Sequence, residues 1–173
     1  MTLKELILSD NSKTVWEAVA DRALKSTDDL ELLMDYFEST DIRLVQRATQ
    51  SISKVHDRNK AILRPYFVRM IKGLSEPRID AYKRNVMRIF QTADIPEEYE
   101  GHLFDKAFTY LEDKNEAIAI RAFSMTVCRK VAERHPDLAP EIIDAIKYLM
   151  EETAATGLLN RGKHELIKLK KLI

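Results

Sequence analysis

The chain has 173 residues, of which 45% are hydrophobic and only 4 are Gly and 5 Pro, so it fits one domain with a continuous core and few long loops. Its 28 basic and 28 acidic residues cancel, and overall charge therefore favours no class of partner. A single cysteine, Cys128, excludes an intramolecular disulfide, and with neither a signal-peptide pattern nor a membrane-length apolar run we expect a cytoplasmic protein.

The first part of the chain, residues 1–27, predicts an irregular N-terminal unit. Apolar residues spaced by three and four indicate a short helix near 3–8 and a longer one near 12–25, which begins after Ser12, a good N-cap. We expect Trp16 to lie in the core of this unit. Arrays of structural repeats need atypical end units that shield their core, and residues 1–27 are predicted to be such a cap.

From residue 28 onward the sequence repeats itself. An arginine early in a helical segment recurs at intervals of thirty-seven to forty residues. These arginines are Arg47, Arg84, Arg121 and Arg161. The apolar spacing predicts first (A) helices near 29–39, 64–74, 98–112 and 138–152, and second (B) helices near 41–56, 78–91, 115–134 and 158–172. Good capping residues mark several starts: Asp28 or Asp29, Asp41, Asn115 and Asp137.

Helix pairs of this length, with a proline early in the first helix (Pro65, Pro140) and an arginine early in the second, resemble HEAT repeats. The resemblance implies an all-α fold: a right-handed α-α superhelix (solenoid) of about four helix pairs in a single domain, 1–173. The implied repeats cover about 28–58, 59–95, 96–135 and 136–173. Armadillo-like packing belongs to the same architecture and stays open, whereas the tetratricopeptide alternative requires a shorter period.

The aligned A helices also predict the core. Apolar residues recur one repeat apart on one face of these helices, which is the pattern of a buried stripe. We expect the following side chains to be largely buried: Phe67, Ile71, Phe104, Phe108, Leu111, Ile142 and Ile146.

Signatures of catalysis are missing from the sequence. It contains no Gly-rich phosphate loop and no GxSxG, HExxH or CxxC motif. The histidines share no metal-ligand spacing; they are His56, His102, His135 and His164. We therefore predict a non-enzymatic protein without a metal or cofactor.

The distribution of charge is more informative than its sum. Basic residues outnumber acidic ones in every B helix, whereas acidic residues outnumber basic ones in three of the four A helices. In HEAT-like solenoids the B helices line the concave face, so the resemblance implies a positive inner face. The candidate partner-binding residues there are Arg43, Arg47, Lys54, Arg84, Arg121, Arg161, His164 and Lys168. Guanidinium groups suit acidic ligands, but such arginines also brace adjacent repeats, and both interpretations stay open.

Three functions compete at this point. The first is a protein-interaction scaffold that binds an acidic partner segment on the basic face. The second is nucleic-acid binding, against which stand the neutral composition and the lack of stacking aromatic residues. The third is a self-associating subunit, since the last helix is rich in apolar residues; the candidate contacts are Leu166, Leu169 and Ile173.

Overall fold

The structure is a computed structural model that describes all residues, 1–173, and contains ten α-helices and no β-strand. This confirms the predicted all-α class. Contacts between Cα atoms divide the chain into two compact units, Met1–Asn85 (the first unit) and Val86–Ile173 (the second unit), and the division falls inside helix α6 (Asp80–Phe90). None of the ten helices combines the length and apolar composition that crossing a membrane requires.

The first unit follows the predicted order of helices with shifts of only a few residues at their ends. A 3₁₀ turn, Arg64–Tyr66, leads directly into its last complete helix and contains Pro65. Besides the first half of α6, the unit comprises α1 (Leu3–Ser9), α2 (Lys13–Lys25), α3 (Thr27–Phe37), α4 (Ile42–Arg58) and α5 (Phe67–Gly73).

The second unit also reproduces the predicted helix pairs. Its A helices begin after 3₁₀ turns, Glu97–Tyr99 and Pro136–Leu138. Pro140 lies in the first turn of its helix, where a missing N–H costs little. Besides the second half of α6, the unit comprises α7 (Glu100–Glu112), α8 (Ile118–Arg134), α9 (Ala139–Glu152) and α10 (Thr156–Leu169).

Several predicted helix caps are confirmed and others are wrong. Ser12 and Asp41 cap α2 and α4 by accepting hydrogen bonds from backbone N–H groups of the first turn. The cap of α3 is Ser26 rather than Asp28 or Asp29, because the Ser26 hydroxyl accepts from the Asp29 N–H and places both aspartates inside the first turn. The caps predicted at Asn115 and Asp137 also fail, since these residues lie in the turns that precede α8 and α9.

The side chain of Tyr82 makes the central packing contacts of the first unit. The ring of Phe37, fully buried, stacks on that of Tyr82 with centroids 4.5 Å apart. The Tyr82 hydroxyl donates to the Met70 carbonyl at 2.9 Å. A Cβ atom at position 73 would lie 2.1 Å from the Tyr82 Oη, so only glycine leaves room for the Tyr82 hydroxyl in this position.

The core prediction holds at five of its seven positions. Phe67, Ile71, Leu111, Ile142 and Ile146 are buried, which confirms the expectation for them.

Phe104 and Phe108 are only half-buried, and the prediction is wrong there. The buried stripe of α7 contains Leu103, Ala107 and Leu111. Each phenylalanine follows one of these residues directly and is therefore rotated by about 100° toward the edge of the stripe. The two rings stack on each other at 5.6 Å between centroids.

A recurring bond connects each helix pair to the preceding one within both units. A long basic side chain reaches back by about one repeat and donates to a backbone carbonyl. These bonds join Arg47 to Ile7, Arg78 to Glu38, Lys130 to Phe90, Arg134 to Ile95 and Arg161 to Ala122, with sequence separations of 39 or 40 residues. The acceptors at Ile7, Glu38 and Phe90 lie at the C-terminal ends of their helices, where carbonyl groups have no partner inside the helix.

Candidate interaction surfaces

Two arginines of the first unit are free. Arg43, in the first turn of α4, and Arg84, on α6, are both exposed, and neither guanidinium makes a hydrogen bond or ion pair within the chain. An arginine that stabilises no neighbouring group retains all five of its N–H donors for a ligand.

Arg47 and Lys54, on the same helix as Arg43, are partly engaged. The half-buried Arg47 donates from Nη1 to the Ile7 carbonyl at 3.3 Å. The Lys54 Nζ lies 3.6 Å from a carboxylate oxygen of Glu17. Hydrogen bonds from Ser12 and from the Asn11 N–H, followed by the charge of Arg47, hold the pKa of Asp10 below its usual range. Both cations therefore brace α4 against the N-terminal helices and retain part of their exposure.

Asn85 positions α6 beside α4. It is buried, and its Nδ2 donates to the Thr49 carbonyl and to the Ser53 hydroxyl, both at 2.8 Å. Helices that pack against each other have axes about 8–10 Å apart. Arg84, the residue before Asn85, is thus carried by a helix directly adjacent to the one that carries Arg43 and Arg47.

The matching arginines of the second unit brace neighbouring segments through hydrogen bonds. Arg121 is only 8% exposed, and its Nε and Nη2 both donate to the Leu111 carbonyl, at 3.1 and 2.9 Å. Burial lowers the pKa of Arg121. Arg161 donates to the Thr126 hydroxyl at 2.8 Å and to the side chain of Gln91. Of the two interpretations that the sequence left open, bracing is the one that describes these two residues.

Replacing Arg121 with Met should lower the free energy of unfolding by about 1–2 kcal/mol, because the buried Leu111 carbonyl loses its donors while the methionine keeps most of the packing. Urea unfolding followed by circular dichroism measures this change. Arg84→Met serves as the matched control and should alter stability by less than about 0.5 kcal/mol. Equal losses from the two substitutions would contradict the bracing role of Arg121.

The remaining basic candidates of the second unit lie on α10. His164 and Lys168 are exposed, and neither side chain forms a hydrogen bond or ion pair within the chain. These two side chains differ from Arg121 and Arg161, which the sequence analysis placed in the same stripe but which are hydrogen-bonded within the chain.

The apolar residues of the C-terminal helix divide into two groups. Leu169 is fully buried inside the second unit, so its predicted place in a self-association surface is corrected: it packs within its own unit. Leu166 is half-buried, whereas Ile167 and Ile173 are 59% and 71% exposed. An exposed surface at this end thus consists of fewer apolar side chains than the sequence pattern indicates.

The sequence analysis missed a buried polar cluster between α8 and α10. Glu165 is buried and accepts from the Thr126 hydroxyl at 2.7 Å and from the Arg129 Nε at 2.8 Å. Its position corresponds, one repeat earlier, to the buried Met125. An acidic residue where the preceding repeat has a methionine was the signal that could have revealed this cluster.

Potential metal ligands and the single cysteine are the remaining side chains that could support chemistry. No group of three or more His, Cys, Asp or Glu side chains is arranged to hold a metal ion. Cys128 is completely buried, and burial raises the pKa of its thiol. A protonated, inaccessible thiol is a poor nucleophile.

Comparison with known proteins adds one finding. The family model of the HEAT repeat domain matches residues 2–168, nearly the whole chain and including the N-terminal helices. No curated protein and no solved structure matches the chain.

Proposed function

Because the chain belongs to the HEAT-repeat domain family, we propose that it is a protein-interaction scaffold whose first unit captures an acidic segment of a partner. HEAT repeats generally mediate protein interactions and are typically non-catalytic. The residues proposed to bind this segment are Arg43 and Arg84. The partly exposed Arg47, which is bonded to the Ile7 carbonyl, is included with them. We name these three residues the basic face.

One observation carries this proposal: Arg43 and Arg84 are exposed and unpaired on adjacent helices, whereas the other arginines of the unit interact within the chain. Arg58 pairs with Glu17 and Asp21, and Arg69 lies among three carboxylates of α3 and the residue that follows it. Free guanidinium groups on adjacent helices suit the carboxylates of an extended acidic segment, each of which accepts two parallel N–H bonds.

Replacing both Arg43 and Arg84 with Glu should weaken binding of a fluorescein-labelled peptide of alternating Glu and Ser by at least about tenfold, as measured by fluorescence anisotropy. Hydrogen bonds to charged groups contribute about 1.5–3 kcal/mol each, and about 1.4 kcal/mol corresponds to a factor of ten. The wild-type affinity should also fall steeply with salt, because exposed charges are screened beyond about 8 Å at physiological ionic strength.

The control is Lys13→Glu with Lys60→Glu, which changes the charge of the first unit equally at exposed lysines that bond to nothing in the chain. Both double variants should keep the thermal midpoint of the wild type. If the two variants lose affinity equally, the basic face has no specific role. A parallel titration with duplex DNA tests the nucleic-acid alternative, and binding to DNA but not to the peptide at about 50 mM salt would favour that alternative.

A further inference from the structure

The second unit contains a cavity of about 590 Å³ between the A helices α7 and α9. Phe108 and Tyr148 contribute aromatic side chains to its lining, and Leu111 and Leu149 contribute aliphatic ones. Its charged lining residues are Arg121, Glu112, Glu141 and Asp144. We name this cavity the acidic-aromatic pocket. It shares no residue with the basic face.

The three carboxylates of the pocket are uncompensated. Glu112, Glu141 and Asp144 are exposed, and none of them forms an ion pair or hydrogen bond through its side chain. Glu152, farther along α9, instead accepts from the Lys114 Nζ at 2.8 Å. The free acids outnumber the one cation of the lining, so the pocket attracts a positively charged group.

The aromatic side chains suit the same kind of group. Tyr148 is 54% exposed, although the Lys114 Nζ lies 5.2 Å from the centroid of its ring. This contact places one cation of the chain near the ring, of which more than half stays exposed to a further cation. Phe108 is half-buried, and its stacking on Phe104 holds it at the edge of α7.

Arg121 supplies one N–H donor to the pocket. More than nine-tenths of this residue is buried, it lines the pocket, and no carboxylate lies within ion-pair distance of it. Its Nε and Nη2 are bonded to the Leu111 carbonyl, whereas Nη1 has no partner in the chain. This donor is open to solvent, so an acceptor on a bound molecule, such as a main-chain carbonyl, can reach it.

We propose that the acidic-aromatic pocket binds an arginine side chain of a partner protein. The guanidinium lies against Phe108 and Tyr148 and donates to Glu141 and Asp144, while Arg121 Nη1 donates to a main-chain carbonyl of the same segment. Arginine fits better than lysine, because its planar group stacks on aromatic rings, bonds to carboxylates in pairs and is more weakly hydrated.

The test uses the full chain labelled with ¹⁵N and titrated with a short Gly-Arg-Gly peptide blocked at both ends. We expect amide chemical shifts to change at pocket residues on α7 and α9 in a saturable manner. A peptide in which citrulline replaces arginine keeps the shape but removes the charge, and it should bind at least about tenfold more weakly. Equal binding of the two peptides, or saturable shifts confined to residues outside the pocket, would overturn the proposal.

Two variants locate the site. Glu141→Gln combined with Asp144→Asn should weaken binding of the arginine peptide by at least about fivefold and leave the remaining amide spectrum unchanged, since neither carboxylate is bonded within the chain. Glu98→Gln is the control, because Glu98 is exposed on the 3₁₀ turn before α7 and lies outside the lining. A loss of affinity as large in the control as in the double variant would overturn the assignment to this pocket.

Discussion

Replacing Phe37 with Ala should lower the free energy of unfolding of the first unit by about 3–5 kcal/mol. The Phe37 ring is fully buried and stacked on Tyr82, whose hydroxyl in turn bonds to the Met70 carbonyl. Truncation leaves a cavity that Tyr82 fills only by abandoning that bond. Trp16 is the only tryptophan of the chain and belongs to the first unit, so its fluorescence during urea unfolding reports on this unit.

Tyr36→Ala is the matched control for Phe37→Ala. Tyr36 is the preceding residue of α3 and is only half-buried, so its truncation removes an aromatic ring without opening an enclosed cavity. We expect a cost below about 2 kcal/mol. A Phe37 variant no less stable than the Tyr36 variant would show that the stacked pair is not central to the core of this unit.

Replacing Glu165 with Ala should destabilise the second unit by about 3 kcal/mol, because the loss of one partner leaves Arg129 as a poorly compensated buried charge. The side chains of Arg129 and Glu165 are 11% and 4% exposed. Arg129 retains Glu133, which is exposed and cannot replace the buried carboxylate of Glu165. Circular dichroism in urea, with hydrogen exchange of α8 and α10, measures the effect.

The double variant Arg129→Met with Glu165→Met separates ion pairing from packing. Two methionines fill similar space without buried charge, and such replacements are often neutral or stabilising. We expect the double variant to recover more than half of the stability lost in Glu165→Ala. A double variant less stable than the single one would indicate that the polar cluster contributes more than the cost of burying its charges.

The sequence predicted the positions of the helices along the chain well, but it predicted less well the burial of side chains at the edge of a helix's buried stripe. Helix positions follow from apolar spacing, which is a local property, and all ten helices were predicted. The half-buried positions of Phe104 and Phe108 were not predicted, although the matching residues Phe67 and Ile71 are buried. A rotation of about 100° separates a buried side chain from an edge one, and alignment of repeats does not resolve it.

The functional residues show the same limit. The recurrence of arginine at one-repeat intervals predicted that Arg47, Arg84, Arg121 and Arg161 occupy comparable positions, yet their environments differ. Arg121 is buried and bonded to the Leu111 carbonyl, whereas the Arg84 guanidinium has no partner in the chain. This difference depends on whether a neighbouring segment presents a carbonyl group to the arginine. The acidic-aromatic pocket was not predicted at all, since Phe108, Arg121 and Tyr148 belong to three separate helices and only packing brings them together.

The bonds from basic side chains to carbonyls of the preceding helix pair have a direction: in each of them the donor follows its acceptor by 39 or 40 residues. During synthesis the acceptor therefore emerges from the ribosome first and stays solvated until roughly one more repeat has been made. At about 5–20 residues per second, this interval lasts on the order of seconds. The carbonyl groups of each helix pair therefore receive these hydrogen bonds only after the next pair has been synthesised. In a nascent chain, the most recently made helix pair is then the least stable one.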